Sequence, residues 1–257
     1  MEFKVTLINK EDFERKNLFT RIGEFACICY DTPLSKAEAV GKHCVKSGHF
    51  SGSRYVYYAF HINSIRSVND QLSRHEQGVV KNMQSQRYVN KSNFDYYTSS
   101  DIEASPQAKE KYDATMKVIQ EAYNDITSIL AEVGLHGEQA NEQARGVLPM
   151  DVESKLALAL NIEGLIHLAH KRLCLRTQEH TRKIVAMIID EVLKVSTELK
   201  EYLVPQCEAM FYCPENHKGC PRMKSGHMIN KDELKRITDD ARKHRMNKAE
   251  IVLESKL

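Results

Sequence analysis

The spacing of apolar and polar residues changes character near residue 100. Before it, short β-rich runs dominate. Residues 4–8 (KVTLI) and 25–30 (FACICY) read as strands, the second placing Cys27 and Cys29 at alternate positions. Residues 54–62 (RYVYYAFHI) are dense in β-branched and aromatic side chains, as a well-covered strand requires. Between them, residues 35–46 read as a helix capped by Ser35, followed by the Gly/Ser-rich turn SGHFSGS. Residues 64–74 read as a helix with Ser64 as cap and Ile65, Val68 and Leu72 on one face.

From residue 105 the period becomes helical. Ser105-Pro106 is an N-cap followed by proline at the first helical position. Tyr112, Met116, Ile119, Tyr123, Ile126, Leu130 and Val133 then recur at three- and four-residue spacing, giving an amphipathic helix of about eight turns that stops at Gly134. A shorter helix is predicted over 138–146, broken by Leu148-Pro149, and two more over 151–170 and 176–203. The pattern implies an α+β fold, a β-sheet packed by several long helices. The tail from about 225 mixes charges of both signs with sparse apolar residues and reads as one or two surface or subunit-contacting helices. The expected organisation is a catalytic domain over 1–224 and a charged extension over 225–257.

Composition narrows the function classes. The chain has 257 residues, with Lys+Arg 37 against Asp+Glu 35 and a net charge of +2. That balance gives no electrostatic case for nucleic acid or an acidic membrane. No apolar run approaches the roughly 18 residues that span a bilayer, and the first residues lack the apolar core of a signal peptide. A cytoplasmic location is expected. Seven cysteines, an odd number, do not form a disulfide framework. Cys213 and Cys220 flank His217, but at none of the usual zinc spacings, so no metal is expected. Ser255-Lys256-Leu257 matches a peroxisomal address, on three residues only. Neither a dinucleotide fingerprint nor a Walker-type loop is present.

Residues 71–88 (QLSRHEQGVVKNMQSQRY) are the densest in donors. Arg74, His75, Lys81 and Arg87 stand among Gln71, Asn82, Gln84, Ser85 and Gln86, with little apolar filler. Such a stretch gains little from burial; it is either an anion site or a solvated loop between structured elements. Arg87 offers a planar fork to a phosphate or carboxylate. Two further segments carry candidate chemistry: Arg145 before the Leu-Pro break, and Asn161, His167, Arg172, Arg176 and Gln178 around a polar interruption between helices. Arginines from three segments either converge on one polyanion or remain separate surface charges. Ser85 has no sequence neighbour to act as its base, so it reads as a ligand-binding hydroxyl rather than a nucleophile.

The order RH…NMQSQRY, then AR..LP, then N….LIHL….RLCLRTQ resembles the flavin-dependent thymidylate synthases. SGH at 47–49 and CPE…GCPR at 213–222 add to the similarity, which runs from about residue 20 to 222. It implies a homotetramer with active sites at subunit interfaces, binding FAD and using NADPH and methylenetetrahydrofolate as co-substrates to methylate dUMP to dTMP. Carried over residue by residue, it implies that Gln71, Arg74, Gln84, Ser85, Arg87, Arg145 and Arg172 contact dUMP. Arg172 is the catalytic candidate. Arg74, His75, Glu76, Asn82, Asn161, His167 and Arg176 fall at flavin-contacting positions.

The chain also departs from the pattern. Glu76 stands where the family has a second arginine, and one extra residue separates Arg74 from Ser85. Arg54-Tyr55 replaces a Glu-His pair, and Asn161-Ile162-Glu163 replaces Asn-x-Arg. Glu76 and Glu163 are expected to oppose the flavin's phosphates unless the flavin lies differently or a cation such as Lys81 compensates. They leave open a related reaction on a pyrimidine nucleotide, such as hydroxymethylation, or an inactive nucleotide-binding homologue.

Overall fold

The computed structural model describes residues 1–215 and 220–224. Its strands are β1 (Lys4–Leu7), β2 (Tyr57–Ile65), β3 (Val79–Met83) and β4 (Glu153–Asn161). The helices in chain order are α1 (Lys10–Arg15), α2 (Leu18–Cys29), α3 (Ala37–Lys46), α4 (Arg66–Ser73), α5 (Ser100–Glu103), α6 (Pro106–Glu132), α7 (Glu138–Ala144), α8 (Ile162–Arg172), α9 (Glu179–Leu193), α10 (Gln206–Ala209) and α11 (Pro221–Lys224). The mixed α+β character matches expectation. Two units emerge: one joins Met1–Asp12 to Tyr57–Asn161, and the other joins Phe13–Val56 to the described residues from Ile162 onward.

The first unit holds an antiparallel sheet in the order β1-β2-β4-β3. Residues 151–170 are therefore not one helix; their first half is the strand β4, bonded on both sides. Tyr57 lies opposite Asn161 and Ile65 opposite Glu153 on β2, while Val79 lies opposite Leu160 and Met83 opposite Leu156 on β3. Leu and Ala are good helix formers, but in LALAL they alternate at period two. Leu156, Leu158 and Leu160 are buried beside Tyr58, Phe60 and Ile62. The intervening alanines take the other face.

Ser64 does not cap a helix. It is buried in β2 and donates its hydroxyl to Asn69 Oδ1 at 2.7 Å, and α4 starts two residues later. α4 packs Val68 and Leu72 toward β2 and β4. α6 begins and ends as the sequence predicts: Ser105 accepts from the Ala108 amide and Gly134 takes φ +88°. The predicted helix over 138–146 gives way after Ala144 to a 3-10 turn over Arg145–Val147.

In the second unit, residues 25–30 are helical rather than extended. The apolar run was too short to fix its period, and the rest of the stripe lies upstream: Leu18, Ile22, Ala26 and Cys27 share the buried face. Asn17 caps this helix by accepting from the Thr20 amide at 2.9 Å. Cys27 is buried and Cys29 exposed, so the two do not share a face. α2 and α3 touch through glycine: a Cβ on Gly23 would lie 1.7 Å from the Ala37 carbonyl oxygen, and one on Gly41 1.9 Å from that of Phe19. Ser35 lies inside a 3-10 turn, and α3 starts after it.

α9 is shorter than the predicted 176–203. It begins after Gln178, and beyond Leu193 the chain turns into the 3-10 segment Thr197–Leu199, returning Leu199 and Leu203 to the core. Among the described residues no helix is long and apolar enough to cross a membrane. His217, the predicted helices after 225 and Ser255–Leu257 lie outside the described residues.

Candidate active site

In the first unit, the donor-rich stretch is not simply a loop between structured elements. It is the end of α4, a tight turn, the edge strand β3 and a second turn. Arg74 is the exposed C-cap of α4, and His75 behind it is buried. Lys81 donates to the carbonyl oxygens of Ser73 and of His75, the latter at 3.3 Å. Its ammonium thus closes the carbonyl end of α4. Lys81, one cation that could offset Glu76, is thus engaged by these carbonyls, and Glu76 is itself exposed.

Gly78 makes the return possible. It takes φ +66°, and an added Cβ would lie 2.0 Å from Asn161 Oδ1. Its carbonyl accepts the Asn161 amide at 2.8 Å. Asn161, a predicted flavin contact, thereby packs against the turn that follows the predicted contacts at 74–76. Asn82, another of them, is exposed on β3 opposite Ala157. Gln71 is half-buried on α4.

The second turn carries the predicted dUMP contacts. The Gln84 amide still bonds the Lys155 carbonyl at 2.8 Å. Ser85 then caps the turn: its Oγ accepts from the amides of Arg87 at 3.2 Å and Tyr88 at 3.5 Å, and its carbonyl accepts the Val89 amide at 3.1 Å. Among the described residues its hydroxyl proton makes no hydrogen bond. Arg87 lies 3.2 Å from a Glu142 carboxylate oxygen and 3.5 Å from one of Glu138, both on α7, with its guanidinium 5.5 Å from the Tyr88 ring centre. The Glu142 and Glu138 side chains are 38% and 46% exposed. Arg145, the C-cap of α7, is exposed and makes no side-chain hydrogen bond or ion pair among the described residues.

In the second unit, His167 is exposed on α8 and Arg172 is the partly buried last residue of that helix. His170, half-buried on the same helix, has its pKa lowered by burial and then by His167. The following turn is braced from α9: Arg182 donates to the carbonyls of Leu175 at 3.2 Å and Thr177 at 3.0 Å. Arg176 pairs with Glu215 at 2.6 Å.

Glu163 also finds a partner. Arg54 Nε donates to its carboxylate at 2.8 Å, and this contact raises the Arg54 pKa. Two of the departures from the family pattern, Arg54 and Glu163, neutralise one another. Glu163 is therefore not the free negative charge expected near a pyrophosphate.

Several site-supporting residues escaped the sequence reading: Gly78, Lys91, Tyr123 and Asn141. Gly78 had a signal, a lone glycine in a polar stretch. Tyr123 looked like any member of the α6 stripe, and nothing local marked Lys91 or Asn141. Among the described residues no group of three or more His, Cys, Asp or Glu is placed to hold a metal.

Exposed guanidinium, imidazole and amide donors, on helices, an edge strand and the ends of turns, give this α+β protein side chains suited to phosphate-bearing ligands. Arg74 in the first unit, and His167 and Arg176 in the second, each have the chemistry that a flavin dinucleotide's phosphates need. The comparisons with known proteins give the family. Residues 14–196 match the family described as "Thymidylate synthase complementing protein". The flavin-dependent thymidylate synthase of Nitratidesulfovibrio vulgaris is 34% identical over 175 residues, covering 68% of this chain and 71% of the relative. Those of Clostridium tetani and Pyrococcus abyssi are 30% and 31% identical, each over 67% of this chain and 72% of the relative. The chain belongs to this family of flavin-dependent thymidylate synthases.

Proposed function

We infer that this chain methylates dUMP at C5 to give dTMP, with methylenetetrahydrofolate as one-carbon donor and FAD reduced by NADPH. When bound, FAD supplies the hydride that completes the methyl group. The observation that carries the reading is the Ser85-capped turn with Arg87 on its shoulder, in a chain of this family. Ser85 has its oxygen occupied by two amides and its proton free, the arrangement of a hydroxyl that donates to a phosphate oxygen. Arg87 and Arg145 add charge-assisted donors, joined by Gln71, Arg74 and Gln84. The carboxylates beside Arg87 do not forbid this: exposed ion pairs are worth about 0–1 kcal/mol, so a phosphate dianion displaces them at little cost.

Arg172 stabilises the negative charge that develops on a pyrimidine carbonyl oxygen as C5 becomes nucleophilic. Arg74, His75, Asn82, Asn161, His167 and Arg176 hold the flavin, and Glu76 borders it. The working form is a homotetramer in the cytoplasm with active sites at subunit interfaces. The pairing of Glu163 with Arg54 removes one of the two reasons for favouring a different pyrimidine modification.

The test is product analysis with dUMP, methylenetetrahydrofolate, NADPH and saturating FAD. Formation of dTMP is expected; a hydroxymethylated product, or none, overturns the reading. Protein that stays colourless with FAD points to a nucleotide-binding homologue. Arg87→Ala is expected to weaken dUMP binding by about 30-fold or more, the loss of a charged hydrogen-bonding partner. Unchanged affinity in a calorimetric titration removes Arg87 from the phosphate site.

A further inference from the structure

Lys91 is a lysine whose side chain is only 3% exposed. Lysine is almost never buried that far without partners, because its ammonium must be desolvated. Here its three protons are matched by three acceptors in the first unit: the Glu153 carbonyl at 3.0 Å, the Glu153 carboxylate at 3.3 Å and Gln84 Oε1 at 3.3 Å. The backbone of Lys91 is fixed as well. Its amide donates to the Tyr123 hydroxyl at 3.2 Å and its carbonyl accepts from Gln120 at 3.0 Å. Tyr123 donates onward to Asn141 Oδ1 at 3.1 Å, and Asn141 Nδ2 donates to the Arg87 carbonyl at 3.2 Å. Tyr123 and Asn141 are both buried.

The effect on the 84–91 turn is specific. Its first residue is tied by side chain to its last, and the Arg87 backbone is held from α7. The ammonium also decides which end of the Gln84 amide is free. With Oε1 on Lys91, the group left over is Nε2, a donor; a flipped amide would set NH2 against the ammonium. A phosphate needs donors.

We propose that Lys91 is a positioning residue for substrate: it locks the 84–91 turn and orients Gln84 so that its Nε2 donor, not its oxygen, is left for the nucleotide's phosphate. This rests on reading that turn as the dUMP phosphate site. A hydrophobic side chain would fill the space as well, but it would free the Gln84 amide to turn an acceptor toward the anion.

The experiment compares equilibrium binding of dUMP and of deoxyuridine, which lacks the phosphate, to the FAD-loaded enzyme. Lys91→Met is expected to raise the dUMP dissociation constant by about tenfold or more, as sub-ångström misplacement of ligating groups does. Deoxyuridine affinity and flavin absorbance stay unchanged. A merely structural lysine predicts that both ligands weaken by the same factor, and that result, or no change in either, overturns the proposal. Arg87→Ala is measured alongside. If it leaves dUMP affinity intact, the phosphate reading fails; if it lowers dUMP affinity and Lys91→Met does not, only the positioning role fails. Should Lys91→Met not fold, Tyr123→Phe, which keeps the ammonium but frees the Lys91 amide, is judged by the same selective loss for dUMP.

Discussion

The turn at 84–91 and the turn at 173–178 both present arginines, and they are held in opposite ways. The first is braced from inside its unit by Lys91, Tyr123 and Asn141, all buried. The second is braced from the surface, by Arg182 on two carbonyls and by an Arg176–Glu215 pair whose partners are both more than half exposed. Buried hydrogen bonds are costly to break because the abandoned partner stays desolvated; exposed ones exchange with water at little cost. The first turn is thus preorganised and the second adjustable.

Breaking the first turn has the largest expected effect. Asn141→Ala strands the Tyr123 hydroxyl, the Asn90 amide and the Arg87 carbonyl, and is expected to cost about 2–4 kcal/mol in urea unfolding. A cost below that of Tyr123→Phe would mean the network is not centred on Asn141. Tyr123→Phe removes one hydroxyl with two partners and is expected to cost about 1–2 kcal/mol by the same measurement.

The second turn yields less. Arg182→Ala is expected to cost about 1 kcal/mol while lowering turnover more than dUMP affinity, because it loosens the segment following Arg172. Equal losses in both would place its effect elsewhere. Glu215→Gln is expected to change stability by less than about 1 kcal/mol. A larger loss would show that the exposed pair is structural after all.

A pH series tests the first unit separately. Burial, then Asp151, pushes the Tyr112 pKa up to about 12, while its hydroxyl donates to the Tyr97 carbonyl at 3.1 Å. The protonated form is the one the fold favours. Its contribution is complete below the ordinary value near 10 and is lost as pH rises through about 12. Wild type should therefore lose more stability than Tyr112→Phe across that window, and parallel curves would exclude Tyr112 as a contributor.

The readings that held were those whose cause is local. Ser105-Pro106 and Gly134 bound α6 because capping and chain reversal need only a few neighbouring residues. RYVYYAFHI contains most of β2 because bulky, branched residues crowd a helix and suit a pleated surface. The polar density at 71–88 did not reveal the edge strand within it, because the few apolar residues of β3 do not alternate to set a period. The readings that failed involved runs with two permissible periods. FACICY joined a helix whose buried stripe starts at Leu18, and LALAL became a central strand despite strong helix formers.

By itself the sequence determined the α+β class, the positions of the donor-rich segments and, through their order, the family. Tertiary structure decided which charges matter. Lys81 and Lys91 look alike in a string of polar residues, yet one closes a helix end and the other is buried beneath a turn. Arg54 and Glu163 look like two unfavourable departures until they meet at 2.8 Å. The reason is physical: the free energy of a charge is set by its desolvation and its partners. In this protein those partners come from far along the chain, where no local pattern records them.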